Sequence, residues 1–288
     1  VPLALPLQRH DERIGEEDMA GSLRVAIGGL GAIGGHLARA LDAGVEGLRL
    51  TAVAARDQGK ARQAIAGFRN PPALVPLAGL AEAADVVVEA APAAVFETIA
   101  EAAIAGGRIL VPSSVGALLP RMHLVERARE TGARIVVPTG ALLGLDAVRA
   151  AAEGEVASVT IETRKPPRGL EGAPYLVENG IEVAGLTAPR LVFKGNAFDA
   201  ARGFPANVNV AAALALAGIG PERTKVEIWA DPAVTRNTHT IRVEAAAARL
   251  TMTIENVPSE ENPRTGRITP LSILACLRGL TSTLKVGS

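Results

Sequence analysis

One cysteine, Cys276, stands in 288 residues. It can form no intrachain disulfide and has no companions at metal-ligand spacing. Within its apolar helical run it reads as a buried structural thiol suited to a reducing cytoplasm. An excess of charge is lacking too. Thirty Lys and Arg face thirty Asp and Glu with no basic block, which excludes nucleic acid as the main partner. No run approaches the roughly 20 uninterrupted apolar residues that a membrane helix needs, so no membrane association is expected. No internal repeat is evident, and residues 1–21 are not expected to be a secretory signal. Residues 1–21 open on VPLALPLQ, with two prolines, and continue into the charged HDERIGEED, which predicts a flexible extension and makes Met19 a candidate natural start.

What is present begins at RVAIGGLGAIGGHL, residues 24–37. An apolar strand runs through Gly29-x-Gly31-x-x-Gly34 into a helical pattern of Ile33, Leu37, Ala40 and Leu41. In that context Gly29 permits a tight turn, Gly31 lets backbone approach a pyrophosphate, and Gly34 lets helix and strand pack closely. The helix start, with Ala32 and Ile33, offers free N–H groups to an anion. Strand and helix signals then alternate: LRLTAVAAR, a helix from about Gln58, a short strand over 73–76, the apolar DVVVEAA over 85–91, AVFETIAEAAIAGG, RILVPSS, VERARETG and ARIVVPTG. This alternation predicts an α/β fold with a Rossmann-type doubly wound parallel sheet over residues 22–145. Ligands bind such sheets at the carboxyl ends of the strands, which singles out Ala91, Ser113, Ser114, Gly116 and the Thr139-Gly140-Ala141 turn; Ala141 is the choice for a backbone contact to cofactor.

Residues 146–269 have a different texture. VASVTIETRK, TKVEIWAD, THTIRVEA and RLTMTIEN alternate as amphipathic strands, which predicts a second α+β domain with a mostly antiparallel sheet, covered on one face, on the substrate side. Helices are expected over 145–153, with Asp146 a possible cap, over 209–217 and over 271–280. The last, within residues 270–288, is expected to pack back on the first domain. A broad sheet with an exposed face suggests a homodimer.

The end of the second strand bears on which nicotinamide cofactor is used. An acidic residue there would bond the adenosine ribose, but the position holds Ala55. Arg56 could pair with the 2′-phosphate of NADP, and Asp57 lies near enough to contact the ribose of NAD. The sequence therefore favours NADP or dual use, against a reading in which both merely start a solvated helix.

SSVGALL, PTGALLGLDAVRAA, TRKPP, FPANVNVAAALALAG and NTHTI occur in that order, and together they resemble L-aspartate dehydrogenases from about residue 23 to the C-terminus. The resemblance implies NAD(P)-dependent oxidation of L-aspartate through iminosuccinate to oxaloacetate and ammonia, reversibly, with iminosuccinate also a precursor for NAD biosynthesis. A related amino-acid or oxo-acid oxidoreductase, or a noncatalytic dinucleotide sensor, is the alternative.

Imidazole titrates nearest neutrality, and His239 matches the family's active-site histidine in NTHTI, which makes it the acid/base candidate; a strand histidine satisfied by a carbonyl is the competing reading. His10, His36 and His123 need only surface or packing roles. Asn207 and Asn209 precede an apolar helix, where an amide can cap the helix or, as the family implies, contact cofactor. Arg164 and Lys165 are candidates for gripping two substrate carboxylates, with Lys165 a possible second proton-transfer group if burial lowers its pKa. No metal site is expected.

Overall fold

The computed structural model describes residues 21–205, 208–262 and 265–287. The first unit alternates β1 (Leu23–Gly28), α1 (Ala32–Ala43), β2 (Leu48–Ala54), α2 (Gln58–Ile65), β3 (Ala73–Leu74), β4 (Val86–Glu89), α3 (Phe96–Ala105), β5 (Ile109–Pro112), α4 (Val115–Leu118), α5 (His123–Thr131) and β6 (Arg134–Ile135). Its six strands lie in the order β3-β2-β1-β4-β5-β6, all paired in parallel. Strand order therefore reverses between β1 and β4, which opens a crevice above their carboxyl ends.

The period-2 alternation of strand side chains divides this sheet's core into two faces. Ala26, Ala52, Val87 and Leu110 meet Phe96, Ile99 and Ile104 of α3 and Leu124 of α5 on one side. Val25, Ile27, Val53, Val86 and Val88 meet Leu37 and Leu41 of α1 on the other. The second face is closed by α10 (Ile268–Thr281), whose Ile273 and Leu277 are fully buried there. Thr281 Oγ1 donates to the Glu46 carbonyl at 3.2 Å, pinning the end of that helix beside β2.

Between β6 and α10 lies the second unit: α6 (Leu145–Ala152), β7 (Val156–Lys165), α7 (Pro174–Glu178), β8 (Arg190–Asn196), α8 (Ala197–Gly203), α9 (Asn209–Ala217), β9 (Thr224–Ala230), β10 (Thr238–Ala245) and β11 (Arg249–Glu255). The chain thus leaves the first sheet after β6 and returns to it after β11. The five strands lie β11-β10-β7-β9-β8. Three pairings are antiparallel, while β7 and β9 run parallel. Val159, Ile161, Val226, Ile228, Ile241 and Val243 point to one face and pack on α6, α8 and α9. The Tyr175, Phe193 and Phe204 rings close one end of that core, with centroids 5.1–5.6 Å apart. The opposite face is a polar lattice: Arg164 pairs with Glu162 at 2.7 Å and Asp231 at 3.0 Å, and Arg242 reaches Glu162 at 3.5 Å.

The structure departs from the sequence pattern in four places. β3 and β6 are edge strands only two residues long; after β6 the next donor in line beyond Val136 is Pro138, which has no N–H. β8 is a fifth strand that RLVFKGN does not announce, since its alternation is broken by a register shift between Leu191 and Phe193. α7 and α8 are short helices in a stretch for which no element is expected from the sequence. Asp146 does not cap α6: the N-cap is Gly144 in the left-handed region (φ 65°), and Asp146 sits in the first turn.

Candidate active site

A cleft of about 1180 Å³ lies above the crevice, walled by the first sheet on one side and by the ends of β7 and β10 on the other. Gly29, with φ 103°, turns the chain out of β1, and a Cβ on it would lie 2.4 Å from the Ala90 carbonyl oxygen. A Cβ on Gly34 would stand 1.8 Å from the Gly29 oxygen, so this glycine sits behind the loop and sets how closely α1 meets β1. Gly31 is different: a Cβ there meets nothing within 4 Å, because it projects into open space. Gly31 is also the N-cap of α1 and supplies no side-chain acceptor. The amides opening α1, at Ala32 and Ile33 beside it, therefore point into the cleft without a capping side chain. A tight turn, an open approach and uncapped amides fit a dinucleotide pyrophosphate.

At the β2 end of the cleft Ala55, Arg56, Asp57, Gln58 and Lys60 line the wall. Asp57 is the N-cap of α2, accepting the Lys60 N–H at 3.0 Å, and lies 3.8 Å from the Lys60 ammonium. Its carboxylate is partly committed to the helix.

Beneath the other half, Glu89 ends β4 fully buried. One carboxylate oxygen accepts the Ala91 N–H at 3.1 Å and the Ser114 hydroxyl at 3.0 Å, and the other accepts the Ser114 N–H at 2.9 Å. It ties together the turns after β4 and β5, both of which line the cleft. Ala141 lines it from the turn after β6, and its carbonyl is held by the Asn256 amide at 3.1 Å. Asn256 is itself buried, with an Oδ1 that has no partner.

The reactive groups come from the covered face of the second sheet. His239 on β10 stands opposite Thr163 on β7. By strand parity Thr163 and Lys165 share the face of Val159 and Ile161, so the apolar core stripe ends in these polar groups where it reaches the cleft. Thr163 Oγ1 lies 3.0 Å from His239 Nδ1. This bond orients the ring and leaves Nε2 for the cleft. Burial, with the neighbouring Lys165 charge adding to it, pushes the His239 pKa down to about 3. Burial alone lowers Lys165 to about 8. The imidazole is therefore neutral at pH 7, and the ammonium titrates close to that range.

Of the residues singled out from the sequence, Gly29, Gly31, Ala32, Ile33, Arg56, Ala91, Ser114, Ala141, Asn209, Lys165 and His239 all line this one cleft. Gly34 supports it from behind. Arg164 is not brought to it. One position along the strand from Lys165, it points to the opposite face, where Glu162 and Asp231 hold its guanidinium 4.8 Å above the Trp229 ring. Asn209 does not cap α9, whose N-cap is Val208; its Oδ1 accepts the Gly116 N–H at 3.0 Å, joining the two units. Asn207, and the extension with His10, lie outside the described residues. Sequence reasoning passed over Thr163, Glu89, Lys60, Asn237 and Asn256. Thr163 was findable as the residue two before Lys165 on the same strand face; the others depend on tertiary placement. Among the described residues there is no metal-ligand cluster and no helix long and apolar enough to cross a membrane.

Comparison with known proteins adds to this geometry. Residues 146–280 match the family described as Aspartate dehydrogenase, C-terminal, and residues 29–138 match Homoserine dehydrogenase, NAD binding domain. The chain is 54% identical over 273 residues to an L-aspartate dehydrogenase of Bradyrhizobium diazoefficiens, covering 95% of this chain and 97% of that one. It is 54% identical over 267 residues to L-aspartate dehydrogenase 3 of Bordetella bronchiseptica, covering 92% and 98%. The crystal structure of aspartate dehydrogenase from Thermotoga maritima superposes with a TM-score of 0.70 at 27% identity, covering 92% of this chain and 99% of that chain.

Proposed function

The chain belongs to the L-aspartate dehydrogenase family, and from that premise we propose that its cleft oxidises the Cα–N bond of L-aspartate to iminosuccinate, which water converts to oxaloacetate and ammonia. The observation that carries this reading is the buried Thr163, Lys165 and His239 cluster facing a glycine-loop dinucleotide site. A bound nicotinamide ring supplies the hydride acceptor. Asn209 and the Ala141 turn, which line the same cleft, are the candidates to hold its carboxamide end.

His239 does the proton work. With Nδ1 held by the Thr163 hydroxyl, Nε2 takes a proton from the substrate ammonium before hydride transfer, releases it to solvent, then takes one from the water that attacks the iminium carbon and returns it to nitrogen as ammonia leaves. A pKa near 3 in the empty cleft makes the ring a weak base, and the entering dicarboxylate raises it by supplying negative charge beside a buried imidazolium. The Lys165 ammonium binds one substrate carboxylate, and its own pKa rises for the same reason. Sealed from bulk water, both groups interact with substrate more strongly than they would at the surface.

Cofactor choice is set at the β2 end. Ala55 stands where a ribose-binding acid would, Asp57 is engaged as a helix cap, and Arg56 and Lys60 offer two cations to a 2′-phosphate. NADP, with NAD as a working substitute, suits this arrangement. A homodimer formed on the open polar face of the second sheet, in a reducing cytoplasm that keeps Cys276 a thiol, completes the reading; sedimentation should then give twice the 29.6 kDa chain mass.

The test follows the ultraviolet absorbance of reduced nicotinamide with L-aspartate and each cofactor, with D-aspartate, L-glutamate and L-homoserine as controls. Reduction with L-aspartate alone is expected. Turnover of another amino acid in its place would overturn the substrate, and cofactor binding without turnover would make the protein a sensor.

A further inference from the structure

Glu89 is the one fully buried carboxylate in the described structure, and the mechanism above does not use it. Its three hydrogen-bond donors are all neutral. Among the described residues it forms no ion pair, although acids elsewhere in the fold do, such as Asp85 with Arg24 at 2.7 Å. Desolvation pushes its pKa up, while the hydrogen bonds that both carboxylate oxygens accept oppose the rise and favour the ionised form. An uncompensated buried carboxylate is costly, and a pair of turns could be braced as well by a neutral amide or hydroxyl. Charge at this position therefore calls for a reason other than bracing.

Its place in the sheet supplies one. A dinucleotide lies across the crevice between β1 and β4, with its adenosine on the β2 side and its second nucleotide over β4 to β6. Glu89 ends β4, directly under the Ala91 and Ser114 turns that line that second half. The two redox forms of the cofactor have nearly the same shape but differ in charge there, since the oxidised nicotinamide ring is a cation and the reduced ring is neutral. We infer that Glu89 is the fixed counter-charge for the oxidised ring, so that the cleft holds oxidised cofactor more tightly than reduced.

This rests on the cofactor placement proposed above. Three ligands are titrated calorimetrically against the full chain: oxidised cofactor, reduced cofactor, and the dinucleotide whose pyridinium is replaced by neutral benzamide. The parent should bind the oxidised form about tenfold more tightly than the benzamide analogue. Glu89→Gln should remove that preference, and Glu89→Asp, which keeps the charge, should retain it even where all three affinities fall. A residue that only braces the turns would weaken every ligand alike in Glu89→Gln and leave the ratio unchanged, which overturns the inference. The parent comparison needs no variant, so it decides the matter if Glu89→Gln does not fold: equal affinity for oxidised cofactor and benzamide analogue is also fatal. Failure of the parent to bind any of the three would remove the cofactor placement itself.

Discussion

At the scale of single residues, the site depends on which side of a strand a side chain leaves. Arg164 and Lys165 are adjacent, both cationic and both candidates for carboxylate ligands in the sequence, yet one is locked in a half-buried ion-pair lattice and the other is buried at the cleft. Parity along β7 fixes this, because Lys165 falls on the face of the buried Val159 and Ile161 and Arg164 on the other. Loss of the Lys165 ammonium above about pH 8 should raise KM for L-aspartate. Lys165→Met should show a high KM that no longer depends on pH in that range. An invariant KM in the parent would take Lys165 out of the carboxylate site. His239→Ala should lower kcat by about 10²-fold or more while leaving cofactor affinity intact, as read by titration. Thr163→Val should cost about tenfold in kcat by freeing the ring to turn, while Thr163→Ser, which keeps the hydroxyl, should stay near the parent; a loss in Thr163→Ser with none in Thr163→Val would mean that the methyl packing matters, not the hydroxyl.

At the scale of elements, the glycine loop is the part most legible in the sequence, because each glycine answers a local steric demand. Gly34→Ala should destabilise the fold by about 1–3 kcal/mol, since the added methyl overlaps the Gly29 carbonyl. Gly31→Ala should leave the melting temperature near the parent value but weaken cofactor binding about tenfold, because its methyl enters the open approach. The opposite pattern would misplace the pyrophosphate. The strands of both sheets and the helices over 145–152, 209–217 and 268–281 are equally visible, since apolar periodicity directly reports a buried face. β8 is not, because its bulge breaks the alternation. Neither is Glu89, an acid at the end of an apolar run whose neighbours come from β5, 25 positions further along. Asn256 and the segment after β11 carry no periodic pattern at all.

At the scale of the whole molecule, the cleft's chemistry is linked to stability. His239 is held neutral, with its pKa depressed from 6.5 to about 3. Below about pH 6.5 the unfolded chain therefore binds a proton that the folded one refuses, and stability falls as pH drops through that window. Lys165 acts at the alkaline end: its buried ammonium penalises the fold below about pH 8, and the penalty is relieved as pH rises towards 10.5. His239→Gln should flatten the acid limb of a plot of melting temperature against pH; an unchanged slope would show that the imidazole is not buried neutral. Ile273→Ala or Leu277→Ala in α10 should each cost about 2–5 kcal/mol in a denaturant titration, as expected for large-to-small changes in a closed core.

The position of α10 also bears on biosynthesis. The face of the first sheet formed by Val25, Ile27, Val53 and Val86 is covered partly by a helix more than 180 residues later in the chain. While the ribosome is still making the second unit, the part of that apolar face that α1 leaves open has no partner from its own polypeptide. A nascent-chain holdase that shields exposed aliphatic surface would find its binding site there until the last helix emerges and displaces it.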